Sequence, residues 1–309
     1  MQMYWALRGW SGSDPSNSKK LSLRRSDASK TSGLAYLNNA LRDEIMKKIA
    51  AAAITIAALF SAAAARADTP TLKTQTGKNI GLSLSAYQYQ EPSVMSSSGA
   101  KMGLDLLATK VTPKEQFIRG DLRFAVGTVD YSGSGTASGE PDWYIETRVL
   151  AGKDWAIKDA VLSPYAGLGY RYLFNDGRGI TSTGYGGYRR ESNYLYLPIG
   201  ITHRTLIKAQ ARLVSTLEYD HLLAGKQISN LSDVGLGYSD VTNNQSSGYG
   251  LKLSVIYEKD KWGFGPYAHY WNIGQSDTEY LYQNGTVHGI VWEPKNNTVE
   301  FGLKAGQQF

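Results

Sequence analysis

The sequence predicts an all-β protein, a transmembrane antiparallel up-and-down β-barrel of about ten strands. Three observations carry this. The chain ends in a strand with one apolar face (Val299, Phe301, Leu303, Ala305) and one polar or small face (Glu300, Gly302, Lys304, Gly306), closing on Phe309. About ten segments of this alternating kind follow Asp68, with no long helical period among them. The connections between them are alternately short and long.

Taken in order, the first strand is expected near Ile80–Gln90, with Ile80, Leu82, Leu84 and Ala86 on one face. The second, near Ala100–Lys110, aligns Met102, Leu104, Leu106 and Ala108. The third, Phe117–Tyr131, sets Ile118, Leu122, Phe124 and Val126 against Arg119, Asp121 and Arg123. The fourth, Trp143–Leu150, sets Trp143, Ile145 and Val149 against Glu146 and Arg148. The fifth, near Ser163–Phe174, opposes Leu168, Tyr170 and Tyr172 to Arg171, and the sixth, Tyr194–His203, aligns Leu195, Leu197, Ile199 and Ile201. The seventh, Ala211–Leu222, sets Leu213, Leu217 and Tyr219 against Arg212, Glu218 and Asp220. The eighth, Tyr249–Glu258, opposes Leu251, Leu253, Val255 and Tyr257 to Lys252 and Glu258. The ninth, Trp262–Trp271, is aromatic on both faces, and the tenth is the terminal strand.

Connections after even strands are short or moderate, such as Lys259–Lys261. Those after odd strands are longer and rich in Gly, Ser, Asn and Asp, with Gly177–Arg190, Leu223–Gly248 and Gly274–Thr298 the longest. A strand in hydrocarbon must pair every backbone group, so the sheet must close. Alternate side chains then face lipid and lumen, and charges are tolerated only on the lumen side. Tyrosines near strand ends (Tyr87, Tyr89, Tyr131, Tyr170, Tyr172, Tyr257, Tyr270) are expected at the membrane interfaces.

Upstream lies an export signal. Met46-Lys47-Lys48 starts a basic region, Ile49–Phe60 is apolar, and Ala65-Arg66-Ala67 places small residues where a signal peptidase reads them. The expected organisation is residues 46–67 as signal peptide and 68–309 as barrel, with Asp68 the mature N-terminus. Residues 1–45 are expected to be a start codon set too early or a disordered extension. Residues 1–67 hold ten of the 33 Lys and Arg and four of the 27 Asp and Glu, so 68–309 carries 23 of each and no net charge. The high isoelectric point thus belongs to the leader and does not argue for nucleic acid as a partner. The chain has no Cys, so disulfides cannot hold it.

The expected lumen face carries Lys101, Arg119, Arg123, Arg148, Arg171, Arg212, Lys252 and Lys304. Against them stand Asp105, Asp121, Glu146, Glu218, Asp220, Glu258 and Glu300. The interior of a ten-stranded barrel is only a little wider than one that side chains fill. Near-balanced charge there should pair across the lumen as a polar core, with a narrow water-filled pore for small solutes as the functional alternative.

No catalytic set, cofactor or metal site is expected. Asp220-His221 lies near an outer strand end, but neighbouring strand residues face opposite sides. None of the four His is followed by Ser two residues on, the spacing expected of a lipid hydrolase. The four His are scattered, which disfavours a structural metal. Gly184-Tyr185-Gly186-Gly187-Tyr188 and Gly235-Leu236-Gly237-Tyr238 read as mobile loops. Tyr185, Tyr188, Arg189, Arg190, Tyr280, Tyr282 and Trp292 are candidate contacts for a surface ligand.

With its cleavage site, strand alternation and terminal Phe309, the chain resembles the small outer-membrane β-barrel proteins of Gram-negative bacteria. The resemblance implies an outer-membrane location, contact with its lipid, and recognition by the barrel-assembly machinery. The signal read by that machinery would be Phe309 on a strand bearing Phe301 and Leu303. It leaves activity open, since such barrels host many roles. The expected role is structural or surface-interacting, with an outer-membrane hydrolase, omptin-like or lipid-modifying, as the alternative.

Overall fold

The computed structural model describes residues 71–208 and 210–309. The proposed leader, its cleavage residues Ala65, Ala67 and Asp68, and residues 1–45 lie outside the described residues.

Among the described residues, fourteen strands occur in chain order. They are β1 (Gly77–Glu91), β2 (Met95–Val111), β3 (Gln116–Ser132), β4 (Thr136–Lys153), β5 (Trp155–Ile157), β6 (Ala160–Ile180) and β7 (Gly186–Lys208). Then come β8 (Ala211–Ser229), β9 (Val241–Gln245), β10 (Gly248–Lys259), β11 (Trp262–Ile273), β12 (Thr278–Gln283), β13 (Thr286–Trp292) and β14 (Asn296–Gln308). Ten of them close a ring in the order β1-β2-β3-β4-β6-β7-β8-β10-β11-β14, all antiparallel, with β14 returning to pair β1. Closure reaches the last residue: Phe309 donates its N–H to Lys78 O at 2.8 Å and accepts from Lys78 N at 3.2 Å.

The barrel strands run 12 to 23 residues, more than the roughly 9–11 needed to cross a bilayer. The outward side chains form a wide apolar band with no protein over it. Met102 is 69% exposed and Leu82 66%, and Val149, Leu168, Ile199, Leu217 and Leu253 are also exposed. Only hydrocarbon satisfies such a surface. Aromatic groups flank the band. Toward the loop end, Trp143 packs on Tyr172 and Phe174 at 5.4 and 5.5 Å, and Tyr249 on Tyr219 and Tyr270 at 6.1 and 6.0 Å. Toward the termini, Tyr257 meets Phe264 at 5.5 Å. Amphipathic rings belong at those two depths.

The termini end is tight. Asp260-Lys261 joins β10 to β11 in two residues, with Asp260 at φ 56°, a left-handed value that short hairpin turns favour. The loop end differs from the sequence expectation. Gly177–Arg190 is mostly strand, because β6 and β7 continue beyond the bilayer band as a hairpin. Within Leu223–Gly248, β8 continues and pairs β9, and β12–β13 form a hairpin inside Gly274–Thr298. These elements share a small apolar core of Tyr188, Leu231, Val241, Leu281 and Val291. Backbone groups leaving the lipid could bond water, yet here they pair onward because this second core holds the extended strands together. The Gly186-Gly187-Tyr188 stretch is therefore part of β7, not a mobile loop. Tyr188 is buried and Arg190 is turned into an ion-paired cluster with Glu91 and Glu293 rather than presented to a ligand, while Tyr185, Tyr280 and Tyr282 are exposed.

Candidate functional site

Strand alternation turns one side chain in two inward, and the barrel's functional candidates are the groups that meet there. Arg119, Asp121, Arg123, Glu146, Arg148, Arg171, Arg212, Glu218, Asp220, Lys252, Glu300 and Lys304 lie on inward strand positions, and Phe301 and Leu303 on outward ones. Phe309 is exposed.

The inward groups form three layers. In the middle layer, Arg123 of β3 holds Asp105 of β2 in a fork at 2.9 and 2.8 Å. Its other Nη donates to Glu300 of β14 at 2.7 Å and to Tyr267 Oη at 2.5 Å. Glu300 also accepts from Tyr144 at 2.6 Å, Tyr267 at 2.7 Å and Ser85 at 3.0 Å. Beside this, Lys252 of β10 lies 2.8 Å from Glu146, 3.2 Å from Glu218 and 3.2 Å from Asp220. Arg148 bridges Asp121 at 2.7 Å and pairs with Glu218. Tyr196 donates to Glu146 at 2.5 Å, and Tyr165 to Glu218 at 2.8 Å. Lys101 pairs with Asp142. Arg171 is fully buried with no hydrogen bond among the described residues, and instead stacks 4.3 Å over the Tyr144 ring.

These pairs cross the lumen. Arg123 and Glu300 stand three places apart in the ring, and Arg148 and Glu218 also three. Adjacent-strand pairing alone cannot bring them together. The charges are desolvated, so each is costly unless its partners are all present.

The second layer closes the loop end. Arg190 of β7 donates to Glu91 at 2.5 Å and to Tyr89 at 3.2 Å, and it also pairs with Glu293, just after β13. The Tyr89 hydroxyl lies 3.0 Å from an oxygen of each of these two carboxylates and shares its one proton between them. This cluster lies beyond the apolar band. Burial, together with the nearby Glu91 charge, pushes the Glu293 carboxyl up to about 7 against the pull of Arg190.

The third layer narrows the termini end. Residues before β1 cross the opening. Thr74 donates its N–H and its hydroxyl to buried Asp154 at 2.5 and 2.8 Å, and Arg212, on the opposite wall, donates to the Thr71 carbonyl. Asp154 is fixed by Ser163 at 2.6 Å, which in turn accepts from Arg204 at 2.6 Å. At the rim, the Glu115 carboxylate bonded to Lys73 raises that ammonium's pKa.

Sequence reasoning missed the tyrosines of this network. Tyr144, Tyr165, Tyr196 and Tyr267 are buried bridges, and Tyr87 and Tyr131 point into the lumen rather than to the interface. Their position parity was the available signal: Tyr144 shares a face with Glu146, and Tyr87 with Ser85. A hydroxyl can donate to a carboxylate while its ring fills space, which suits a narrow lumen. Glu91 and Arg190 share a face with Tyr87 and Tyr196 but lay just beyond the expected strand ends, and Asp154 and Glu293 lie outside any strand.

Asp220 points inward and is buried, whereas His221 points out and is exposed, so the two do not form a pair. Among the described residues no group of His, Asp and Glu is placed to hold a metal ion.

No family model and no curated protein matches the chain. Among solved structures, the outer membrane protease OmpT from Escherichia coli is similar, at 12% identity over 78% of this chain and all of that one, with a TM-score of 0.51. Looser overlap is found with an outer membrane channel from Pseudomonas putida F1 (10% identity, 80% and 100% coverage, TM-score 0.38). The translocator domain of the autotransporter NalP from Neisseria meningitidis is comparable (12%, 88% and 97%, TM-score 0.36). At such identities the likeness is one of fold. With its closed ring of ten antiparallel strands and its apolar outer band, the chain has the architecture of the small outer-membrane β-barrel proteins.

Proposed function

We propose that the chain is an integral barrel of a Gram-negative outer membrane that is closed at rest and works through the strand extensions at its loop end rather than through its lumen. The termini end then faces the periplasm. The observation that supports this is the cross-lumen layer centred on Arg123, Glu300, Lys252 and Glu146, which are all buried. A conducting pore of one selectivity would line its constriction with unpaired charge of one sign, and here acids and bases interlock. The strand extensions beyond the band keep an apolar core of their own, which anchoring in lipid does not require. Exposed Tyr185, Tyr280 and Tyr282 on these extensions give that surface the amphipathic rings common at recognition sites.

Purified barrel in planar bilayers tests the reading. Silence at moderate voltage is the expected result. Steady conductance steps from the wild-type protein would replace it with the narrow-pore reading.

A further inference from the structure

Beneath the middle layer, the termini half of the lumen holds a cavity of about 280 Å³. Its floor is the segment Lys73–Gln75, and its roof includes Arg123, Tyr267 and Glu146. The lining carries nine Lys and Arg against four carboxylates. Each carboxylate is already matched: Asp105 to Arg123, Asp121 to Arg148, Glu146 to Lys252 and Glu258 to Arg212.

Of the five remaining cations, Lys73 pairs with Glu115 at the rim and Lys78 is exposed, and the other three set the character of the space. Arg119 reaches no carboxylate among the described residues, and its only hydrogen bond is a 3.3 Å contact from Nε to Thr109. Lys304 has neither an ion pair nor a hydrogen bond among them, and its ammonium lies 5.9 Å from the Tyr267 ring. Arg204 is the third, paired to Asp154 at a long 3.9 Å and donating from the same nitrogen to Ser163 at 2.6 Å, which leaves its other guanidinium donors free. These three cations sit on β14, β3 and β7. Around the ten-stranded ring the steps between them are three, three and four, so they approach the cavity from three sides.

A chain that balances its lumen charges elsewhere has left Arg119 and Lys304 without a carboxylate around one void, with Arg204 held only loosely by Asp154. Guanidinium groups with free N–H donors match tetrahedral oxyanions, and a lysine adds a point charge. A low-dielectric wall strengthens their joint field. The volume is below that of most sites for drug-sized ligands, roughly 300–1,000 Å³, so the occupant is compact. We propose that this cavity is a binding site for a small, multiply charged oxyanion of the phosphate type, entering from the termini side. The site needs no passage through the barrel, because the Arg123–Glu300 layer seals it above. It is therefore independent of whether the protein conducts.

The test is calorimetric titration of the folded barrel in a zwitterionic detergent at low ionic strength. The probes are inorganic phosphate, pyrophosphate and glycerol 3-phosphate, with chloride as control. Saturable binding of at least one phosphate probe, weakened by added salt, is expected. The double variant Arg119→Gln/Lys304→Gln should bind at least tenfold more weakly. The loop-end variant Arg178→Gln should bind as wild type does. Preference for glycerol 3-phosphate over inorganic phosphate would support the site and identify a phosphomonoester as occupant. The reverse preference would support it and identify the free anion. Heat-modifiable gel mobility establishes that each variant is folded. If the double variant does not fold, Lys304→Gln alone serves, with at least a threefold loss expected. No binding of any phosphate probe to wild-type barrel, or binding unchanged in a folded variant, would overturn the proposal.

Discussion

The ammonium of Lys252 lies 2.8 Å from a Glu146 carboxylate oxygen, although their strands, β10 and β4, stand four places apart in the ring. The contact spans the lumen. It joins walls that share no backbone hydrogen bond, so it resists flattening or opening of the barrel.

Replacing Lys252 with Met leaves Glu146, Glu218 and Asp220 buried without their shared cation. The expected loss is about 3–5 kcal/mol, because an uncompensated buried charge costs more than its pair contributed. Urea unfolding from lipid vesicles, followed by tryptophan fluorescence, measures it. An unchanged midpoint would mean that these carboxylates are hydrated and the lumen is not packed.

The outer face obeys the opposite rule. Leu122 points out of β3 between Leu106 and Thr147 in register. Leu122→Arg should cost roughly 2–4 kcal/mol if the site lies near the bilayer midplane. The readout is the folded fraction on a gel after insertion into vesicles. Insertion equal to wild type would reverse the assignment of faces on β3.

The loop end should respond to pH. The folded Glu293 carboxyl sits near 7 rather than at its ordinary 4.5, so it binds its proton more tightly folded than unfolded. Its contribution to stability is complete below about 4.5 and is lost as pH rises through about 7. Amide exchange in β12 and β13, corrected for intrinsic rates, should therefore be faster at pH 8 than at pH 6. Glu293→Gln should remove most of that difference. A slope of the opposite sign would show that Arg190 keeps Glu293 ionised throughout.

Gly187 tests whether the extended β6–β7 hairpin is rigid. A Cβ at this position would overlap the carbonyl oxygen of Gly177 on the paired strand. Gly187→Ala should open the hairpin at a cost of about 1–3 kcal/mol, seen as new proteolytic cleavage between residues 177 and 190. The barrel below should stay folded. Equal protease resistance would point to a pliable loop.

Deleting Phe309 removes two hydrogen bonds to Lys78 and the aromatic end of the closing strand. The amount of folded barrel recovered from the outer membrane should fall severalfold. The gel shift on boiling reads this directly. Recovery equal to wild type would mean that β1 and β14 close without the terminal residue.

The period-two alternation was legible because it is local. Each strand residue states which side it faces, so Ile118, Leu122 and Phe124 were readable as outward, and Arg119, Asp121 and Arg123 as inward, without any knowledge of neighbours. The need to close the sheet followed from the apolar face alone, since hydrocarbon offers backbone groups no partner. Which inward charge meets which was not legible. That depends on the stagger between strands three or four places apart, as between Arg148 and Glu218, and stagger is fixed only when the ring closes. Tyr87 and Tyr131 were read through their usual residence at interfaces, and only the closed, narrow lumen shows them buried inside it. Gly177–Arg190 looked like a loop because glycine favours turns. It became strand because the partner segment and the core around Tyr188 and Leu281 lay nearby in space. The sequence by itself determined the faces and the closure, because both follow from backbone geometry and solvent. Tertiary structure decided the lumen network, the narrowed ends and the cationic cavity, because each is assembled from residues that only the closed ring brings together.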